Sequence, residues 1–487
     1  MSCDWPVVSV EDIKAPTKSS ISIGPFGSRM KSDCYVDDGI PVIRGNNLSH
    51  SKSFVGDFVY ISPEKADELA SSNVFAGDLV FPHRGNIGEV GIVPADKPRY
   101  ILSTSLMKLT VDQKKVDPLF LFYFFRSTKG RHELLKNASQ VGTPGIATPL
   151  TSLKSIQIKL PSLSEQRAIA HIIGTLDDKI ELNRQINQTL EAMAQAIFKS
   201  WFVDFEPVKA KIAAIEIGEN AEGMTRAAMS AISGKTYEEL DQLQAEQPEY
   251  YTQLKNTAEL FPSTMQDSEL GEVPEGWDVK TIDSVAKKVA MGPFGSNIKV
   301  STFVEKGVPI ISGQHLHETL LTESTYNYIT EEHAKKLANS CVSSGDVIFT
   351  HAGNIGQVSL IPSTTKYAKY VISQRQFYLR PDTEQITSSY LVYFFRSNAG
   401  QHLLLANASQ VGVPSISRPS SYLKSIEIVV PAKSVLNQFE NVIEALIGQI
   451  ANNRKEIECL STIRDTLLPK LLSGELSVDA SDIAEGN

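Results

Sequence analysis

Cysteine is scarce, with four in 487 residues (Cys3, Cys34, Cys341, Cys459) and no CxxC pair. Neither a zinc site nor a disulfide framework is indicated, and a reducing cytoplasm fits best. Long apolar runs are missing too. None approaches the roughly 18–20 residues of a membrane span, and Asp4 and Trp5 stand where a signal peptide would begin. Catalytic signatures are also absent. Ser233-Gly234-Lys235-Thr236 matches the end of a P-loop, but the first glycine of that loop would fall at Met229. There is no Asn-Pro-Pro-Phe/Tyr or Asp-Pro-Pro-Tyr base-holding motif, no Glu-x-Lys, no His-Glu-x-x-His and no Gly-x-Ser-x-Gly.

Positive charge is short overall, since the formal net charge is −9. Divided along the chain, the deficit is local. Residues 1–160 hold 19 basic and 16 acidic side chains and residues 277–432 hold 14 and 11, whereas residues 207–276 hold 5 and 13. The two mildly basic stretches permit phosphate contact, and the excess of acid over base lies outside them.

What is present is a duplication. Gly24-Pro25-Phe26-Gly27-Ser28 returns as Gly292-Pro293-Phe294-Gly295-Ser296, and Gly77-Asp78-Leu79-Val80-Phe81 as Gly345-Asp346-Val347-Ile348-Phe349. Asn137-Ala138-Ser139-Gln140-Val141-Gly142 returns as Asn407-Ala408-Ser409-Gln410-Val411-Gly412. The period is too long for a solenoid unit and marks a duplicated domain. Within each copy, short apolar stretches bounded by Gly, Asn and Asp read as strands, such as 40–43, 79–81 and 90–93, or 308–311 and 347–349. A helix is expected from Pro118 to about Lys136 and again from Tyr390 to Leu405. Its aromatic residues at helical spacing read as core rather than as base-stacking platforms. Each copy closes on an alternating strand (156–160, 426–430) ended by Pro161 or Pro431.

The hydrophobic period then changes. Ile173, Leu176, Ile180, Asn183, Asn187, Leu190, Ala194, Ile197 and Trp201 step by fours and threes, as do Ile443, Leu446, Ile450, Asn453, Ile457, Leu460, Arg464, Leu467 and Leu471. These are coiled-coil seams, the first helix starting at Ser164 with Glu165 and Gln166. Since each repeat feeds the N-terminus of its own helix, antiparallel pairing separates the repeats about an approximate two-fold axis and lets Asn183 meet Asn453. About 40 residues of helix would span roughly 60 Å. The expected class is α+β: two β-rich repeats (1–160, 277–432) and two long helices (161–206, 433–475) pairing as an antiparallel coiled coil, pseudo-two-fold. An acidic linker with little core of its own (207–276) and a tail (476–487) complete the chain.

Two copies of one reading unit suit a ligand that comes in two halves. The turn after Gly24 offers Ser28, Arg29 and Lys31 to a phosphate, unless it is structural alone; its counterpart offers Ser296, Asn297 and Lys299. Arg44 and Asn46 become Ser312, Gln314 and His315 in the second copy. His83, Arg84 and Asn86 become His351, Ala352 and Asn354, so one arginine is lost. Arg84 and Asn86 have the geometry for bidentate contacts to guanine and adenine. Gln140 and Gln410 are similar candidates. One scaffold with different polar tips is how two modules would read different half-sites. No catalytic or metal-binding residue is assigned.

Taken together, the repeated Gly-Pro-Phe-Gly-Ser, Gly-Ile-Pro-Val-Ile (39–43) or Gly-Val-Pro-Ile-Ile (307–311), and Gly-Asp-Leu-Val-Phe resemble the specificity subunits of type I restriction-modification systems. So do Glu165-Gln166-Arg167-Ala168-Ile169-Ala170, the segment 198–208 and the segment 268–277. The second long helix departs from the pattern, opening Leu436-Asn437-Gln438-Phe439 where a Glu-Gln pair is usual. The resemblance implies two target-recognition domains, each reading half of a bipartite double-stranded DNA site. It also implies helices that set the spacing and dock two methyltransferase (M) subunits, with restriction/translocase (R) subunits joining. S-adenosylmethionine, ATP and magnesium would belong to those partners, and this chain would catalyse nothing alone. A modification-only assembly and a protein–protein adaptor are the alternatives.

Overall fold

The computed structural model describes residues 5–26, 29–49, 51–139, 142–409 and 412–478. The chain divides into two compact units, residues 1–185 with 454–487, and residues 186–453. The division falls inside both long helices, so each unit holds one repeat and a length of each helix.

In the first unit a four-stranded antiparallel sheet has the order Ile21–Ile23, Leu106–Leu109, Leu79–Pro82, Gly91–Ile92. A five-stranded sheet lies beside it, with Ile40–Ile43 parallel to Tyr100–Leu102 and antiparallel to Val59–Ile61. The strand Gln157–Lys159 pairs with Val7–Ser9, so the end of the repeat is stitched to its beginning. The second unit repeats the arrangement: Ala286–Met291, Gln376–Pro381, Val347–Thr350 and Val358–Leu360 form the matching sheet, and Glu427–Val430 pairs with Asp278–Thr281.

The recurring Leu79-Val80-Phe81 is apolar throughout because both faces of its strand are covered. Leu79 and Phe81 face one hydrophobic cluster and Val80 another, just as Val347 and Phe349 part from Ile348. Strands buried on both sides lose the alternation of half-exposed ones. The aspartate of Gly-Asp is a brace: Asp78 Oδ2 accepts from the Phe75 amide and Asp346 Oδ2 from Ser343, both at 2.9 Å. Gly77 and Gly345 precede them at φ +86° and +87°, where a side chain would be strained.

The aromatic run is core, as read: Phe120, Leu121, Phe122, Tyr123, Phe124 and Phe125 are all buried. The single helix expected there is two, Pro118–Arg126 and Thr128–Leu135. Ser127 leaves the helical region at ψ 158°, and its Oγ caps the Gly130 amide at 3.1 Å. A Cβ on Gly130 would come within 2.0 Å of the Phe124 carbonyl, so the corner needs a glycine. Ser388–Arg396 and Asn398–Leu405 break the same way at Ser397.

The long helices run Leu163–Phe202 and Lys433–Ser473. The seam residues are buried or half-buried, as the period predicts. Within the first unit Asp177 bonds Arg464 at 2.8 Å and Asn183 bonds Glu456 at 2.9 Å, so one number rises as the other falls and the helices are antiparallel. Within the second unit Asn453 donates to Asn187 Oδ1 at 2.9 Å. Asn183 and Asn453 therefore do not meet as expected: each takes a polar partner of its own, one turn out of the symmetric register. The first helix also starts earlier than Ser164. Ser162 is the cap, accepting from the Glu165 amide while the Glu165 carboxylate returns to the Ser162 amide at 2.9 Å.

Residues 207–276 are more structured than their charge implied. Glu206–Glu216 is followed by helices Ala221–Ser233, Tyr237–Glu246 and Pro248–Glu259, which enclose a small core of Ala228, Met229, Leu240, Leu243, Leu254 and Ala258. The last two are separate helices because the residue before a proline is pushed out of helical geometry, here Gln247 at φ −136°, ψ 65°. Ser233-Gly234-Lys235-Thr236 is a helix-to-helix corner. Gly234 ends one helix at φ +69°, and Thr236 caps the next with Glu239.

Candidate nucleic-acid interface

In each unit the loops singled out by their polar residues converge on one short turn. In the first unit that turn is Ser103-Thr104-Ser105. The Gly24 amide donates to Leu106 O at 2.8 Å, and a Cβ on Gly24 would lie 1.9 Å from Ser103 O, so glycine alone lets the Gly-Pro-Phe loop pass. Ser103 N donates to Ile43 O, which seats the Arg44–Asn47 turn alongside. His83 N donates to Ser105 O, and Gly85 N and Ile146 N tie the 83–86 loop to the hairpin of Ala138–Ser139 and Gly145–Ile146. The second unit repeats this around Ser373-Gln374-Arg375, through Gly292 N to Gln376 O, Ser373 N to Ile311 O, His351 N to Arg375 O and Gly353 N to Pro414 O.

The individual side chains then separate into those that brace and those that face outward. His83 is buried, and its Nε2 lies 3.1 Å from Thr104 O; His351 Nε2 lies 3.1 Å from Gln374 O. Burial pushes both imidazoles below their ordinary pKa of 6.5, so each is held neutral as a strut between loop and turn. His315 is 1 % exposed and stacks on Tyr326. Its Nδ1 accepts the Ser312 amide at 3.0 Å, as Asn47 Oδ1 accepts Arg44 N at 2.9 Å. It is the internal cap of its turn and is not placed to touch a ligand. Arg44 is half-buried, with Nη2 on Asp57 O at 2.7 Å.

Arg29, Lys31, Asn46, Arg84, Asn86, Asn297, Lys299, Gln314 and Asn354 are exposed. Asn297 and Gln314 also reach backbone oxygens, of Phe294 at 2.9 Å and Thr325 at 3.2 Å. Ser28, Gln140 and Gln410, and the side chain of Ser296, lie outside the described residues. Sequence reasoning passed over two groups at the same turns. Phe26 and Phe294, at the tips of the repeated Gly-Pro-Phe loops, are 68 % and 70 % exposed. Arg375 is the other, and a residue-by-residue alignment of the repeats would have revealed it opposite Ser105.

Backbone-presented amides, amide side chains and unpaired guanidiniums gathered on one end of a rigid sheet are the chemistry of base-edge and phosphate contact. Among the described residues there is no cluster of three or more metal-ligating side chains. No helix there is long and apolar enough to cross a membrane. Fold and site together define a duplicated recognition protein, one head per unit. The family model of the type I restriction modification DNA specificity domain matches residues 26–192 and 274–461, and the chain belongs to that family.

The chain is 32 % identical over 416 residues to the type I restriction enzyme HindI specificity subunit of Haemophilus influenzae, covering 84 % of this chain and 88 % of that one. It is 26 % identical over 490 residues to the MjaIX specificity subunit of Methanocaldococcus jannaschii, covering 98 % and 94 %. The S subunit of a type I system from M. genitalium, 14 % identical with a TM-score of 0.53 over 96 % of each chain, shares the fold. The chain is a sequence-specific DNA-recognition component of a restriction-modification system and not itself a catalyst.

Proposed function

We propose that residues 1–160 and 277–432 each read one half of a bipartite double-stranded target, and that the paired long helices fix the interval and dock two methyltransferase subunits. Restriction/translocase subunits join the same complex. S-adenosylmethionine, ATP and magnesium act in those partners, and the assembly works in the cytoplasm. The observation carrying this reading is the duplicated loop cluster: the same hydrogen-bonded scaffold twice, with different outward side chains. Arg84 and Asn86 in the first head, and Gln314 and Asn354 in the second, are the base-reading candidates. Arg29, Lys31, Asn297 and Lys299 serve as phosphate contacts.

Mapping methylated adenines in cells that express the whole complex tests this. Arg84→Ala is expected to relax one position of the half-site read by residues 1–160 and leave the other half unchanged. Equal loss at both halves would make Arg84 a general contact.

A further inference from the structure

Arg84 has no counterpart at its own position in the second unit, where Ala352 stands. The position equivalent to Ser105, which receives the same backbone bond from the histidine amide (His83 N to Ser105 O, His351 N to Arg375 O, both 2.9 Å), is Arg375. Its guanidinium does not point away from the cluster. Arg375 Nη1 lies 3.5 Å from where a Cβ on Gly353 would stand, directly over the 351–354 loop. The matching space over Gly85 in the first unit is empty to 4 Å, while the Arg84 Cγ lies 3.7 Å from the Cβ position of Gly145, its bridge partner on the neighbouring hairpin. Both arginines are exposed, and neither side chain forms a hydrogen bond or ion pair among the described residues. Each unit thus brings one uncommitted planar fork to the same loop cluster, from a different segment of it.

We propose that Arg375 is the second unit's guanine-reading residue, taking over from the neighbouring turn the role that Arg84 holds in the first. The inference rests on the reading of each unit as a half-site reader. A guanidinium matches guanine O6 and N7 through two parallel donors, which a lysine cannot reproduce. Because the two forks stem from different segments of the cluster, the guanines they select stand at different places within their half-sites, so the halves are not copies of each other.

The test uses the intact complex with competitor duplexes and genome-wide methylation mapping. Arg375→Ala is expected to cost about 5- to 150-fold in discrimination at one base pair of one half-site. That half-site is the one left intact by Arg84→Ala. Arg375→Lys should lose the same discrimination while keeping most of the affinity. Thermal melting should be unchanged in both variants, since the side chain is exposed. Uniform weakening over all sequences, with the salt slope reduced by about one and rescue by lysine, would make Arg375 a phosphate contact and overturn the proposal. So would a change in the half-site that Arg84 reads. A wild-type complex with no sequence preference would sink the underlying half-site reading and this proposal with it.

Discussion

The two units hold their long helices by different chemistry at matching positions. In the first, Gln166 is fully buried: its Oε1 accepts the Asp117 amide at 2.8 Å and its Nε2 donates to Lys115 O and Pro161 O. In the second, the equivalent position is Leu436, buried in the main hydrophobic cluster beside Val435 and Phe439. Further along, Asp177 is bonded by Arg126 at 3.1 Å and Arg464 at 2.8 Å, where the second unit has Ile447 in its core. Phe198, Trp201 and Phe202 then pack on Tyr390, Phe261 and Phe439 with ring centroids 5.0–5.4 Å apart. A duplicated backbone does not require duplicated forces. The polar anchor specifies one register, because any slip leaves buried groups unpaired, whereas the apolar anchor contributes more stability and tolerates repacking. The departure at the start of the second helix is thus a change of anchoring and leaves the helix itself intact.

The contrast can be broken most sharply at Asp177. Asp177→Ala leaves Arg126 and Arg464 half-buried without their shared partner, and a loss of about 3–5 kcal/mol is expected in denaturant titration. Smaller, and more informative about register, is Gln166→Leu, which installs the second unit's solution in the first. It strands the Asp117 amide and two carbonyls, for a cost of roughly 1–3 kcal/mol. A gain in stability would mean that the polar anchor is not required for register.

The smallest effect is pH dependence through the histidine struts. Their folded pKa values lie below 6.5, so below that pH the unfolded chain takes up protons that the folded one refuses. Stability should be flat above about pH 6.5 and fall as pH drops beneath it. His83→Gln should flatten part of that slope relative to wild type. An unchanged slope between pH 5 and 6.5 would remove His83 as its source.

Much of the molecule was legible in the chain. The duplicated segments, the strands at 40–43 and 79–81, the buried aromatic run and both coiled-coil seams follow from spacing, which local geometry enforces. What escaped was either a local corner or cap that hydrophobic spacing does not show, or a partner distant in sequence. The corner at Ser127 is possible because Gly130 has no side chain to meet the Phe124 carbonyl. Ser162 caps the first long helix in place of Ser164. Asn183 and Asn453 took separate partners because the helices settled one turn from symmetry. Among the candidate readers, His315 resembled Asn46 and Gln314 in chemistry and proved to be an internal cap, since burial cannot be read from residue type.

The order of residues alone determined that there are two copies of one fold, that each continues into a long helix, and that the net negative charge lies outside the repeats. These follow from periodicity and composition, which are local properties. The tertiary structure decided which loops share one end of a sheet, which histidines point inward, and that an arginine missing from one loop is replaced over it by another some 23 residues later, at Arg375 against Ala352. Such placements depend on how a strand's turn packs beside its neighbour's loop, and no pattern along the chain records that.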